Sequence, residues 1–278
     1  MAANGLLDNR AHIPDVGGRP QMAGLFALFK RIPVASALLI TAFDVEFVAL
    51  IGMVVKTAER DAQPDLVAWF VIALLAAGAL TVLGWWRIAG FNQPGKCRQL
   101  RLVWLPIAGL LLVPFLAGFH LLKPTAGAYI VVIYVLVAFR EEALYRGVIL
   151  HILNPSGRRR AVLLTSLLFA ISSAASLLLF HAADILPRVA GAFCFGVLLG
   201  ALRLRTNTIW IPIVLNVLIG LTLRSSPLYP VYLNAILPSL MLAYGVFLLR
   251  DRQALEPEPR ISPRPHGKQT HDRRAMMM

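Results

Sequence analysis

From residue 34 to residue 249 the chain alternates between long apolar runs and short polar clusters. Each run approaches the roughly 20 residues that a helix needs to cross a bilayer. Eight such runs are read as membrane-crossing helices, at 34–56, 66–86, 102–122, 127–152, 161–180, 186–203, 208–223 and 229–249. The sixth and seventh are short and joined by the tight turn Arg203-Leu-Arg205-Thr-Asn207. The pattern predicts an all-α fold, a polytopic membrane helical bundle of about eight transmembrane helices in a single domain over 34–249. Residues 1–33 read as an N-terminal arm, with 22–29 as an interfacial helix. The arm carries Asp8 and Asp15, and the first long apolar run starts only near Val34, so no cleavable signal is read there. Residues 250–278 are rich in proline and charge and read as a disordered tail. The chain carries no internal repeat.

Composition sharpens this picture. Of 278 residues, 58% are hydrophobic and 15% charged, and mean hydropathy is +0.70. A soluble domain of this length needs far more polar surface. The formal net charge is +13, but the cations sit between apolar runs and act as topological signals. Leaving aside Arg140 and Arg146 inside the fourth run, 20 of the 27 Lys and Arg residues fall in the two termini and in 87–101, 158–160 and 203–205. Lys56, Arg60, Lys123, Arg188 and Arg224 make up the other side. The bias predicts both termini in the cytoplasm and a multi-pass protein of the plasma (inner) membrane. There is no basic patch with interleaved aromatics, so no nucleic-acid partner is expected. Cys97 and Cys194 have neither metal-ligand spacing nor a plausible pairing.

Candidate chemistry concentrates in the fourth run. After the apolar stretch from Tyr129 to Phe139 come Arg140-Glu141-Glu142, then Arg146, before apolar residues resume. Each ionisable group at this depth costs about 2.5–3.5 kcal/mol on insertion scales, so four in seven residues require compensation. Glu142 and Arg146, four apart with the acid first, stack on one helix face. Glu141 points about 100° away from Glu142 on an α-helix. One carboxylate is thus tied to Arg146, and the other is free to face a cavity and act as a general base on water. Asp44 and Glu46, in the first run, have no cation nearby in sequence and read equally as cavity or interface residues. Gly196-x-x-x-Gly200 reads as a helix-packing stripe. Pro106, Pro114 and Pro212 read as helix kinks. His120, His151, Trp85, Trp86, Trp104 and Trp210 read as interfacial.

Glu-Glu-x-x-x-Arg in a multi-span chain resembles the first motif of the CAAX-protease and bacteriocin-processing (CPBP, or ABI) family of intramembrane endopeptidases. Gly147 follows the arginine as in the usual Arg-Gly. Gly84-Trp-Trp-Arg-Ile-Ala-Gly90-Phe resembles the loop before the family's core, and Thr165-Ser-Leu-Leu-Phe-Ala170 the start of its second motif helix. The stretch from Phe195 to Trp210 resembles the Gly-rich helix and turn that follow. Ile211-Pro-Ile-Val-Leu-Asn216 stands where the third motif belongs. The likeness spans about 80–225.

It implies a bacterial, metalloprotease-like membrane hydrolase of the CAAX prenyl protease type, cutting a peptide or protein substrate with a glutamate-activated water. The chain departs from the family at three positions. Ser173 stands where the second motif has histidine, with His181 eight residues on as a substitute. Asn216 and Gly220 stand where the third has histidine and asparagine. Glu141, Glu142, Arg146, Asn216, Ser173 and His181 are therefore the candidate catalytic residues, with Asn216 as a donor to an oxyanion. Zinc is the cofactor that family analogy suggests. Without the histidines a three-ligand zinc site is hard to build, and no cofactor is expected. Two alternatives stay open. One is a catalytically degenerate member acting as a peptide-binding, immunity or scaffold protein. The other is a small-solute transporter, although one dense ionisable cluster suits a site better than a path.

Overall fold

The computed structural model describes residues 29, 31–58, 64–92, 101–118, 123–179, 185–225 and 233–250. Most of the N-terminal arm, including the interfacial helix read at 22–29, and the tail at 251–278 lie outside these residues, as does His181. Every long element among the described residues is helical. In chain order they are α1 (Pro33–Ala58), α2 (Pro64–Leu83), the short α3 (Trp86–Ala89), α4 (Trp104–Ala117) and α5 (Pro124–Glu141). A π-helical segment, Glu142–Ile149, continues α5 into α6 (Leu150–Leu153) and a 3₁₀ turn (Asn154–Ser156). Then follow α7 (Arg158–Leu179), α8 (Ile185–Thr206), α9 (Trp210–Ser225) and α10 (Leu233–Arg250). Each of the eight apolar runs thus contains a helix.

A helix satisfies its backbone polar groups internally, which an apolar bilayer demands. Pro33–Met53, Leu66–Leu83 and Ile185–Thr206 are long and apolar enough to cross a membrane by length and composition. Trp104–Val113, Trp210–Arg224 and Ala235–Arg250 are shorter apolar helices. Large apolar side chains point outward, among them Leu39 at 72% exposure, Phe43 at 68% and Val82 at 75%. An apolar outer surface of this kind suits lipid rather than water. The protein is a membrane protein.

The core is centred on α8. Leu198, Leu199 and Leu202 are fully buried with Ile149 and Leu215. Small residues let the neighbouring helices close on α8. A Cβ at Gly196 would lie 3.0 Å from Ser166 Cβ, and one at Gly200 would lie 2.9 Å from Val162 Cγ1, both on α7. On the other side Gly245 of α10 packs against the Leu198 backbone. The glycine stripe of α8 therefore serves packing. Pro106 and Pro212 fall in the first turns of α4 and α9, where a missing N–H costs nothing, so they start helices rather than kink them. Trp85 also departs from the interfacial reading. It is 2% exposed and packs edge-on against Phe29 and His151.

One loop braces the helix that carries the glutamates. α2 ends at Gly84 (φ +66°), and the chain turns through α3 to Gly90 (φ +96°). Ile209 N–H donates to the Gly90 carbonyl at 2.9 Å. Arg203 Nη2 donates to the Ile88 carbonyl at 3.2 Å, and Thr208 Oγ1 donates to the Asn92 carbonyl at 3.3 Å. Gly90 is required twice, for its left-handed backbone and because the Arg203 guanidinium fills the space a Cβ would take. The loop then presses Ala89 onto Gly147 of the π-helical segment.

Candidate functional site

The π-helical turn begins at Glu142, and the Leu150 N–H closes it onto the Tyr145 carbonyl five residues back. More residues per turn mean a smaller angle between successive side chains than in an α-helix. Glu141 and Glu142, at the junction of the two helical forms, keep α-helical backbone angles, yet one side chain joins them. Asn216 Nδ2, from α9, donates to Glu141 Oε2 and to Glu142 Oε1, each at 3.0 Å. Arg146 Nη1 lies 3.3 Å from Glu142 Oε1, and both of these side chains are sealed, at 1% and 0% exposure. The Arg146 guanidinium lies 4.3 Å over the Phe169 ring, a favourable cation–π placement. Glu142 Oε2 and Arg146 Nη2 have no hydrogen-bond partner among the described residues. Glu141 is half-buried, whereas Glu142 is sealed. Glu141 is not free, however, because it shares the Asn216 amide with its neighbour.

Asn216 also lines a cavity of about 690 Å³ between α5, α7, α8, α9 and α10. Its apolar wall includes Phe169, Phe195 and Met241, and its far end carries Arg188 and Arg224. Arg188 starts α8 and Arg224 ends α9, so both cations sit at the same end of the bundle.

Among the described residues, the other two motif positions, Ser173 and Gly220, do not join the cluster. Ser173 Oγ donates to the Phe169 carbonyl of its own helix at 2.9 Å. Its neighbour Ser172 turns the other way, toward Asp44. Gly220 holds no side chain, and the Tyr134 ring takes the room, within 2.5 Å of where a Cβ would stand.

A second buried cluster adjoins the first and escaped the sequence reading. Arg140 Nε donates to Asp44 Oδ1 at 3.0 Å, and its Nη2 forms a short contact with Asp44 Oδ2. Tyr145 Oη donates to Asp44 Oδ2 at 3.2 Å and Ser172 Oγ to the same atom at 3.4 Å. Asp44 therefore faces neither a cavity nor an interface, whereas Glu46 is exposed. A signal for this pair existed. Arg140 has no acid three or four residues away, and Asp44 has no nearby cation. Two unmatched opposite charges in apolar segments predict each other.

Among the described residues no three His, Cys, Asp or Glu side chains gather where they could hold a metal ion. Two carboxylates and an amide nitrogen do not fit the three-ligand set of a catalytic zinc.

Residues 123–222 match the family model described as type II CAAX prenyl endopeptidase, Rce1-like. The matched stretch contains Glu141, Glu142, Arg146, Ser173 and Asn216 and agrees with the CPBP resemblance carried by the motifs. It likens this part of the chain to the CAAX-type intramembrane proteases. No curated protein and no solved structure matches the chain.

Proposed function

We propose that the protein is a CAAX-type intramembrane endopeptidase in which Glu141 activates the hydrolytic water. One observation carries the reading: Asn216, bonded to both glutamates, lines the cavity that a peptide would enter. Glu141 takes a proton from water as the water oxygen attacks the scissile carbonyl carbon. The carbonyl oxygen becomes an oxyanion, accepting the Asn216 N–H that Glu141 gives up as it takes the proton. Glu141 then returns the proton to the leaving amine as the C–N bond breaks. Glu142, held by Arg146, orients Asn216.

The cavity suggests how substrate lies. Asn216 and Arg224 are eight residues apart on α9, about 12 Å along the axis. That is the reach of about three to four extended residues, so a short C-terminal segment would set its carboxylate at Arg188 and Arg224. In the membrane we place eight spans with both termini cytoplasmic in a plasma membrane, as the Lys and Arg distribution favours. The arginine end of the cavity then faces the opposite side.

The experiment is cleavage of a peptide library, prenylated C-terminal peptides included, by detergent-purified protein and by Glu141→Ala. Cleavage by the parent and a loss of about 100-fold or more in the variant are expected for a general base. A folded parent that cuts nothing sinks the reading.

A degenerate, peptide-holding protein is the second reading, and a specific observation favours it. Ser173 is engaged by its own helix and Gly220 is closed over by Tyr134, so neither family position offers a proton relay. Equal peptide binding by parent and Glu141→Ala, without cleavage by either, is its signature.

A further inference from the structure

We infer that Asp44 is a positioning residue for the glutamate pair, and that it acts by occupying Arg140. The inference rests on Glu141 as the working carboxylate. Arg140 immediately precedes Glu141, and its guanidinium is buried at 5% exposure. A buried guanidinium takes the best carboxylate within reach, bidentately where it can. Asp44, at 8% exposure, presents both oxygens to it. Tyr145 and Ser172 steady that carboxylate through Oδ2. Four elements thus meet on Asp44: α1, α5, the π-helical segment and α7.

The charge count gives this arrangement its consequence. Three acids, Asp44, Glu141 and Glu142, face two cations, Arg140 and Arg146, in one buried cluster. With Asp44 matched to Arg140 and Glu142 to Arg146, Glu141 is the acid left without a cation of its own. Without Asp44 the cations equal the remaining acids. Arg140 then turns to the adjacent Glu141, which loses the free lone pair that a base needs. A residue of α1, outside the matched stretch 123–222, thereby governs the chemistry of a helix some 96 positions away. A plain structural tie between α1 and α5 would leave Glu141 indifferent to which charge is removed.

The test uses the full chain purified in detergent and the variants Asp44→Asn, Asp44→Glu, Arg140→Gln and the double Asp44→Asn/Arg140→Gln. Peptide hydrolysis is one readout. Labelling of Glu141 by an apolar carbodiimide, located by mass spectrometry, is a second that needs no cleavage. A carboxylate locked to a guanidinium is protected from the reagent. Asp44→Asn is expected to lower kcat by about 100-fold, the weight of a lost general base, with KM unchanged, and to suppress Glu141 labelling. The double variant is expected to regain both, and Asp44→Glu to resemble the parent. A double variant as impaired as Asp44→Asn, or Glu141 labelling unchanged by Asp44→Asn, overturns the inference. If the parent proves unable to cleave, the endopeptidase reading fails, while the labelling series still decides the role of Asp44.

Discussion

Glu142 and Arg146 are the most deeply buried opposite charges in the site, at 0% and 1% exposure. Each is tolerable only because of the other, since a lone buried charge has nothing to replace its lost hydration. Removing one partner should therefore cost more than removing both. Arg146→Met is expected to destabilise the protein by about 3–5 kcal/mol, and the double variant Glu142→Gln/Arg146→Met by much less. Thermal unfolding in detergent checks both. This pair was legible from sequence because a four-residue spacing on a helix is a contact by construction. No spacing gave Glu141 a partner; the motif resemblance grouped it with Asn216, 75 positions away, and the rotation of α9 brings that amide onto both glutamates. Ser172 and Ser173 make the same point. Side by side in sequence, they have different partners, and the one in the family's motif position is the one turned onto its own backbone.

At the level of elements, the π-helical segment is held from behind by α3. A methyl group at Gly147 would approach Ala89 Cβ to 2.8 Å. Gly147→Ala must push α3 away or bend the glutamate helix, and overpacking of this kind costs about 1–3 kcal/mol. Gly78→Ala, on α2 with nothing within 4 Å, is the matched control and should be neutral to stabilising by up to about 1 kcal/mol. The contrast is read in parallel unfolding curves, and a Gly147→Ala curve that overlays the control refutes the brace. The ends of α8 and α9 carry a different expectation. Arg188→Gln/Arg224→Gln should raise KM about tenfold or more for peptides ending in a free carboxylate, because charge-assisted hydrogen bonds are worth about 1.5–3 kcal/mol each. Amidated peptides should not distinguish the variant from the parent. Equal KM changes for both peptide types would remove the carboxylate from the cavity's far end. The apolar runs marked these helices out in advance, but the π-helical turn was invisible, since Glu-Ala-Leu-Tyr-Arg-Gly-Val-Ile carries no residue that forbids an ordinary α-helix.

Across the whole molecule, the charge bias and the proposed eight spans make one claim about sidedness. In a background with Cys97→Ser and Cys194→Ser, a single cysteine at Asn154 should react with a membrane-impermeant maleimide only from the cytoplasmic side. One at Thr125, at the other end of the same helical column, should react only from outside. Labelling of both from one side would break the eight-span topology.

The sequence by itself determined that this is an apolar, all-helical chain, where its long helices lie, and that Glu142 and Arg146 stack on one face. These are consequences of composition, and of contacts within a few residues, which helix geometry dictates before any packing occurs. The motif resemblance grouped Asn216 with the glutamates, but tertiary structure alone decided the contacts: one amide shared by both carboxylates, Asp44 on Arg140, and Tyr134 in the space above Gly220. Which faces of distant helices meet depends on how their side chains interdigitate, and no spacing within a single helix encodes that.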